Sequence, residues 1–353
     1  GISNESENTA IVQANGGRSQ IVDNEIWDAC IGINSTSQTT AQPAYPVDVA
    51  RMSTISRNNI YSPQFYGIKS SGLGLEISHN RIENAGIQDY LTDEPRESFG
   101  IRFEDAGGAD DTTIEGDSII ADNYIKMAVN PAVGLTTRHG ISLYSAAHET
   151  KRKIDVHDNT LEGPGVGMTT VALCNGIYVT GQVDATHANG ASQILVHHNR
   201  AWGWGNGLLI SGNVPGLKAD GNDFSENMDC GIRAAGNATY QLLRPSFINN
   251  RCCNNGQLAG GLSSGLFLGY ATAAYLDHNV FNDEQAVATQ LFGVRLGAGT
   301  ITTRLSGGEI AGNGTNPIYL MTLVGFDYVR NVNGLNPRGA PTAPPALPAS
   351  TVT

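Results

Sequence analysis

The chain has 353 residues, 40% of them hydrophobic and only 15% charged, which is not the composition of a disordered chain. Its net charge is −12 with no Lys/Arg cluster; this removes a nucleic-acid footprint and disfavours an anionic polymer unless a local basic patch exists. No apolar run approaches the ~18 residues that a membrane-spanning helix needs.

From the N-terminus, the chain starts at Gly1 without Met, as a mature or truncated fragment would. The first structured signal is a short motif: an aliphatic residue, two mostly polar residues, Asn, any residue, then usually an apolar one. It begins at Ile21-Val22-Asp23-Asn24-Glu25-Ile26 and returns around Asn58, Asn80, Asn123, Asn159, Asn199, Asn222, Asn250 and Asn279. A degenerate tenth copy, Leu305 to Ile310, has Gly308 where Asn would stand. Each copy is followed by Gly and an aliphatic residue that open a short alternating run, as at Gly32-Ile33, Gly67-Ile68, Gly100-Ile101, Gly140-Ile141 and Gly176-Ile177. The same signal continues from Gly207-Leu208 to Gly293-Val294, and the tenth copy has only Pro317-Ile318.

Alternation over three to five residues predicts strands with every second side chain turned inward. One coil of such strands cannot bury its apolar face, whereas stacked coils can. Asn at the same turn of every coil can hydrogen-bond the Asn above and below and satisfy the buried turn. The expected fold is therefore all-β: a single-stranded right-handed parallel β-helix of about ten coils with an internal Asn ladder. Ladder spacings run from 22 to 43 residues, which predicts a bare coil with loops inserted into it. A leucine-rich solenoid would show helical periodicity between strands, and a propeller would need longer, more regular blades.

The expected β-helix spans residues 1–330, followed by a Pro-rich C-terminal linker or tail over 331–353. The insertions concentrate in the first half, which makes coils three to five the expected place for a groove. The five cysteines, Cys30, Cys174, Cys230, Cys252 and Cys253, match no zinc spacing and are expected to be reduced and packed.

The Asn turns with Gly-Ile strands resemble the pectate-lyase-like β-helix superfamily over about residues 10–325. That superfamily includes polysaccharide lyases, epimerases, glycoside hydrolases and phage tailspike depolymerases. The resemblance implies a polysaccharide partner and an extracellular or virion-tail location. Tailspike relatives are trimers, so it admits a homotrimer as well as a lone β-helix. Calcium is common in the superfamily, but no fixed-spacing calcium motif is present, and no cofactor is expected from the residues themselves. No motif matches one lyase or hydrolase family, so no catalytic residue is carried over.

Candidate site residues come instead from strand alternation. The residue after each inward aliphatic points outward, which predicts a row of Lys69, Arg102, Ser142, Tyr178, Leu209, Arg233, Phe267 and Arg295. A neighbouring row holds Glu104, Tyr144 and Thr180, with Arg138 and His139 close by. Uronate elimination needs a cation for the sugar carboxylate, a base for the C5 proton and an acid for the leaving oxygen. Arg102 or Lys69 suits the first role, His139 or Tyr144 the second, and Tyr144 also the third. Hydrolysis wants two carboxylates, for which Glu104, Asp105, Asp110 and Asp111 are available. A solvated Arg–Glu ion pair accounts for the same residues without catalysis. Trp202 and Trp204 are expected on one side of the chain, as sugar-stacking indoles or packed beneath a loop or subunit. His79, His157, His197, His198 and His278 cluster at the Asn turns and are expected to be turn-surface histidines rather than metal ligands. Three functions follow: an enzyme that degrades or modifies a polysaccharide, a glycan-binding fibre module, or a structural or adhesive solenoid.

Overall fold

The structure is a computed structural model that describes residues 9–16, 19–37, 53–71, 74–86, 97–105, 117–129, 137–145, 153–165, 173–181, 194–258, 262–321, 326–330 and 332–334. The described chain winds through three long sheets, with a short fourth made of Leu242–Leu243 and Ala271–Thr272. The first has eleven strands, from Thr9–Gly16 to Asn316–Leu320. The second has eleven, from Gln20–Val22 to Phe326–Arg330. The third has six, from Glu25–Trp27 to Arg200–Trp202, and continues as single bridges from Arg200–Asp223 to Glu309–Asn333. Every pairing is parallel and joins one coil to the next, which is the right-handed parallel β-helix. Among the described residues there is no α-helix, and no helix long and apolar enough to cross a membrane.

The count is eleven rungs where about ten coils were expected. The extra strand of the first sheet is Thr9–Gly16, before the first Asn turn, and that of the second is Phe326–Arg330, after the tenth copy. The Pro-rich segment after Gly334 lies outside the described residues.

The aliphatic residues form columns. In the first sheet Ile33, Ile68, Ile101, Ile141, Ile177, Leu208, Ile232, Leu266 and Val294 sit in direct register. Each of them is fully buried. Ile55, Ile77, Ile120, Val156, Val196, Ala219, Phe247 and Leu276 make the second column, and Ile60, Ile82, Ile125, Leu161 and Ala201 the third. The glycine before each aliphatic is required by close approach. A Cβ on Gly100 would stand 2.4 Å from Ile125 and 2.7 Å from the Gly140 carbonyl of the next coil.

The Asn ladder runs unbroken from Asn24 to Asn279. Each Nδ2 donates to the Oδ1 of the next Asn at 2.8–3.0 Å. The same Oδ1 accepts the backbone N–H of the preceding Asn, as from Asn123 to Asn159 at 3.0 Å. The residue before each Asn has positive φ: Asp23, Arg57, His79, Asp122, Asp158, His198, Gly221, Asn249 and His278. This left-handed turn explains the Asp, Asn, His and Gly found there. The ladder ends at Gly308, which has no side-chain amide; at its φ of 81° a Cβ would lie 2.1 Å from the Asn279 carbonyl oxygen, so only glycine takes this conformation. All five cysteines are free thiols, and four are buried.

Candidate functional site

The outward row on the first sheet exists as alternation predicts. Lys69, Arg102, Ser142, Tyr178, Leu209, Arg233, Phe267, Arg295 and Tyr319 are consecutive register partners. Glu104, Tyr144 and Thr180 form the parallel row two residues on. The backbone of Tyr144 is described, but its side chain, that of Asp105, and the whole of Asp110 and Asp111 lie outside the described residues.

Arg102 organises the first-half patch. Its Nε meets Glu104 Oε1 at 2.6 Å, and its Nη1 donates to Glu97 Oε2 at 2.9 Å. The guanidinium lies over the Phe99 and Tyr66 rings, 5.0 and 5.8 Å from their centroids. Those rings are stacked with 2° between their planes. Burial works against the charged form of Arg102, but Glu104, Tyr66 and Glu97 outweigh it and raise its pKa further. Lys69 on the next strand has its Nζ 5.6 Å from the Tyr66 centroid. Glu97, Tyr66 and Phe99 were not among the expected site residues. Their signal is positional: Tyr66 and Phe99 immediately precede the glycine that bends each coil, and that bend places them beside the outward row.

His139 occupies the same pre-glycine position and is only 3% exposed. Burial, with a smaller contribution from the Arg102 charge, pushes its pKa down to about 3. The Oδ1 of Asn175 is taken by Asn206 Nδ2 at 2.9 Å, so Asn175 turns its Nδ2 to His139 Nδ1 at 3.3 Å. The imidazole is therefore neutral, accepting at Nδ1. It is wedged between Phe99 and Tyr178, with centroids 5.2 and 4.5 Å away. Arg138 is buried too and donates to the Ala128 carbonyl at 3.2 Å.

The two tryptophans do not share a side, which corrects the expectation for Trp204. Gly203 at φ 71° interrupts the alternation. Trp204 turns into the core, is 0% exposed and donates Nε1 to the Leu161 carbonyl at 3.1 Å. Trp202 stays outside beneath Arg200, whose guanidinium is 4.8 Å from its ring. It belongs to the third sheet, in a row with Trp27, Tyr61, Glu83, Lys126 and Glu162. The stacked pair Trp27–Tyr61, with centroids 4.1 Å apart, heads that row. Trp202 and Arg102 therefore stand on different faces. Arg233 shares the face of Arg102 but lies four strands along it, about 19 Å away at the ~4.8 Å strand spacing.

His79, His198 and His278 occupy the left-handed turn position. His157 and His197 stack on adjacent strands at 4.9 Å, and His197 Nε2 meets Asp155 Oδ1 at 2.7 Å. Among the described residues no group of three or more His, Cys, Asp or Glu is placed to hold a metal ion.

No family model matches the chain, and no curated protein matches it. Among solved structures, the periplasmic alginate epimerase AlgG superposes with a TM-score of 0.49 at 14% identity, covering 94% of this chain and 79% of that one. The A-module of the Azotobacter vinelandii mannuronan C-5 epimerase AlgE6 gives 0.48 at 12% identity, covering 91% and 81%. The Streptococcus pneumoniae surface protein and adhesin PfbA gives 0.35 at 8% identity, covering 88% and 89%. The likeness to all three is one of fold alone: a stack of parallel coils.

Proposed function

We propose that the protein binds a polysaccharide against the outer face of the first sheet and cleaves or modifies it around Arg102, outside the cell or in its envelope. The observation that carries this reading is the patch of Glu97, Arg102 and Glu104 above the stacked Tyr66–Phe99 pair. Phe99 is buried beneath the guanidinium and holds Arg102 in place, while Tyr66, only partly buried, offers a sugar ring an aromatic edge beside charged groups that can hydrogen-bond its hydroxyls. Two carboxylates flanking one guanidinium supply groups for acid–base work on a glycosidic bond. For elimination, Tyr144 is the remaining candidate base and acid, because His139 is buried. Lys69 rather than Arg102 would then meet a sugar carboxylate, since Arg102 is already held by two glutamates.

A second reading, glycan binding without turnover, is favoured by that same double pairing, which resembles a structural ion-pair network. Incubation with a panel of acidic and neutral polysaccharides separates the readings. Ultraviolet absorbance from an unsaturated uronate marks elimination, and new reducing ends without it mark hydrolysis. Glu104→Gln should abolish either product with the fold intact. Binding without any product in the wild type would remove the enzymatic reading, and full turnover by Glu104→Gln would move the centre elsewhere.

A further inference from the structure

Arg295 differs in kind from Arg102, although both stand in the same outward row. It is 6% exposed, on the strand Phe292–Leu296. No carboxylate lies within ion-pair distance of it among the described residues, and its Nε is sealed from solvent without a hydrogen-bond partner. Its contact is aromatic: the guanidinium sits 4.3 Å from the Phe267 centroid. Arg233, on the opposite neighbouring strand, meets the same ring at 5.4 Å. The nearby carboxylate of Asp229 pairs with Arg233, at 3.4 Å. Two guanidiniums thus stand on either side of one phenyl ring, and Asp229, which pairs with Arg233, is beyond ion-pair distance of Arg295.

Burying an unpaired guanidinium is costly, and an aromatic face returns only part of that cost. A hydrophobic residue of the same length would pack here with less penalty. Burial acts on Arg295 first, lowering its pKa; Cys230 and Asp229 oppose this and Arg233 reinforces it. The arrangement lacks one component, an oxyanion, and arginine forks match carboxylates and sulfates closely.

We propose that Arg295 and Arg233, across Phe267, form a subsite for an oxyanion, the carboxylate or sulfate ester of an acidic sugar. The subsite lies six strands from Arg102 on the first sheet, about 29 Å at the ~4.8 Å strand spacing. In its polymeric form the inference rests on the reading that a glycan lies along this face. A chain following the row would then be held at two points, with affinity gained from linkage rather than from new contacts. The net charge of −12 repels such a polymer at a distance, so the site acts within a Debye length, about 8 Å in physiological salt.

The test uses the full chain and Arg295→Met, which keeps the length and apolar body of the side chain. Binding of sodium sulfate, galacturonate and polygalacturonate is measured by calorimetry, and stability by thermal unfolding without ligand. The expected result is polygalacturonate binding weakened at least tenfold in Arg295→Met, while its unfolding midpoint equals or exceeds that of the wild type. Arg295→Lys should recover part of the affinity. If sulfate or galacturonate binds the wild type and is lost in Arg295→Met while the polymer does not bind, the anion subsite stands and the polysaccharide reading falls. Unchanged polymer binding in the variant, a lowered midpoint, or a wild type that binds none of the three probes would overturn the subsite.

Discussion

At the scale of single residues, the decisive contrast is between charges the fold has satisfied and groups it has sealed away. Arg102 is held by Glu97 and Glu104, so its guanidinium is positioned but already engaged. His139 is sealed and neutral, which makes it a packing residue whose titration is linked to stability. Its folded pKa of about 3 lies below the ~6.5 of an exposed histidine. The unfolded chain therefore binds the extra proton first as pH falls. The stabilisation is complete above pH ~6.5 and is lost progressively as pH drops towards 3. Between pH 7 and 5 this single group should cost about 2 kcal/mol of folding stability. His139→Asn, which extends the Asn175–Asn206 amide row by one member, should flatten that part of the pH profile in urea unfolding. An identical slope in wild type and variant would mean that the imidazole is not sealed.

At the scale of elements, each coil is held by three repeated devices: an aliphatic column, a glycine where the chain bends against its neighbour, and the Asn turn. The last is the most specific. Asn159 Nδ2 shares its two hydrogens among Ile120 O at 2.8 Å, His157 O at 2.9 Å and Asn199 Oδ1 at 2.9 Å, while its own Oδ1 accepts two bonds from Asn123. Asn159→Ala would leave several of these groups buried and unpaired, at roughly 1–3 kcal/mol each before relaxation. A net loss of about 3–5 kcal/mol is expected from denaturant unfolding. A loss below about 1 kcal/mol would show that the ladder is incidental to stability. Shorter rows repeat the device elsewhere. Asn227, Asn255, Gln290 and Asn313 carry a side-chain relay down the second half, joined at 2.9–3.0 Å where side chain meets side chain. Its irregular spacing and the Gln in place of Asn hide this row from a search for one motif.

At the scale of the whole molecule, the described strands of each coil pair only with those of the coils beside it, so their stability is a sum of local stacking terms. The interior coils, bounded on both sides, should resist opening most. The terminal strands, Thr9–Gly16 and Phe326–Arg330, each have a partner on one side within their sheets. Amide hydrogen exchange should therefore be slowest across the strands Ile194–His197 to Ser264–Gly269 and fastest at the two terminal strands. Uniform protection along the axis would contradict nearest-neighbour stacking. The same geometry turns the outer face of the first sheet into a linear array, with Lys69 and Arg102 towards one end and Arg233 and Arg295 towards the other.

The sequence by itself determined the architecture, because a β-helix is a local rule repeated. Alternation sets which side chain faces inward, glycine marks the bend, and an Asn at each turn finds in the Asn of the next coil the side-chain acceptor for its amide. It also determined the outward row from Lys69 to Arg295, since parallel register carries each residue onto its counterpart. The tertiary structure decided what strand alternation cannot reach. Gly203 turns Trp204 inward, the pre-glycine bend brings Tyr66, Phe99 and His139 beside that row, and Glu97 reaches Arg102 from five residues upstream. Whether an outward arginine finds a carboxylate depends on which neighbours the stacking delivers. Among the described residues Arg102 has two within ion-pair distance and Arg295 none, because alternation fixes the direction of a side chain but not the company it keeps.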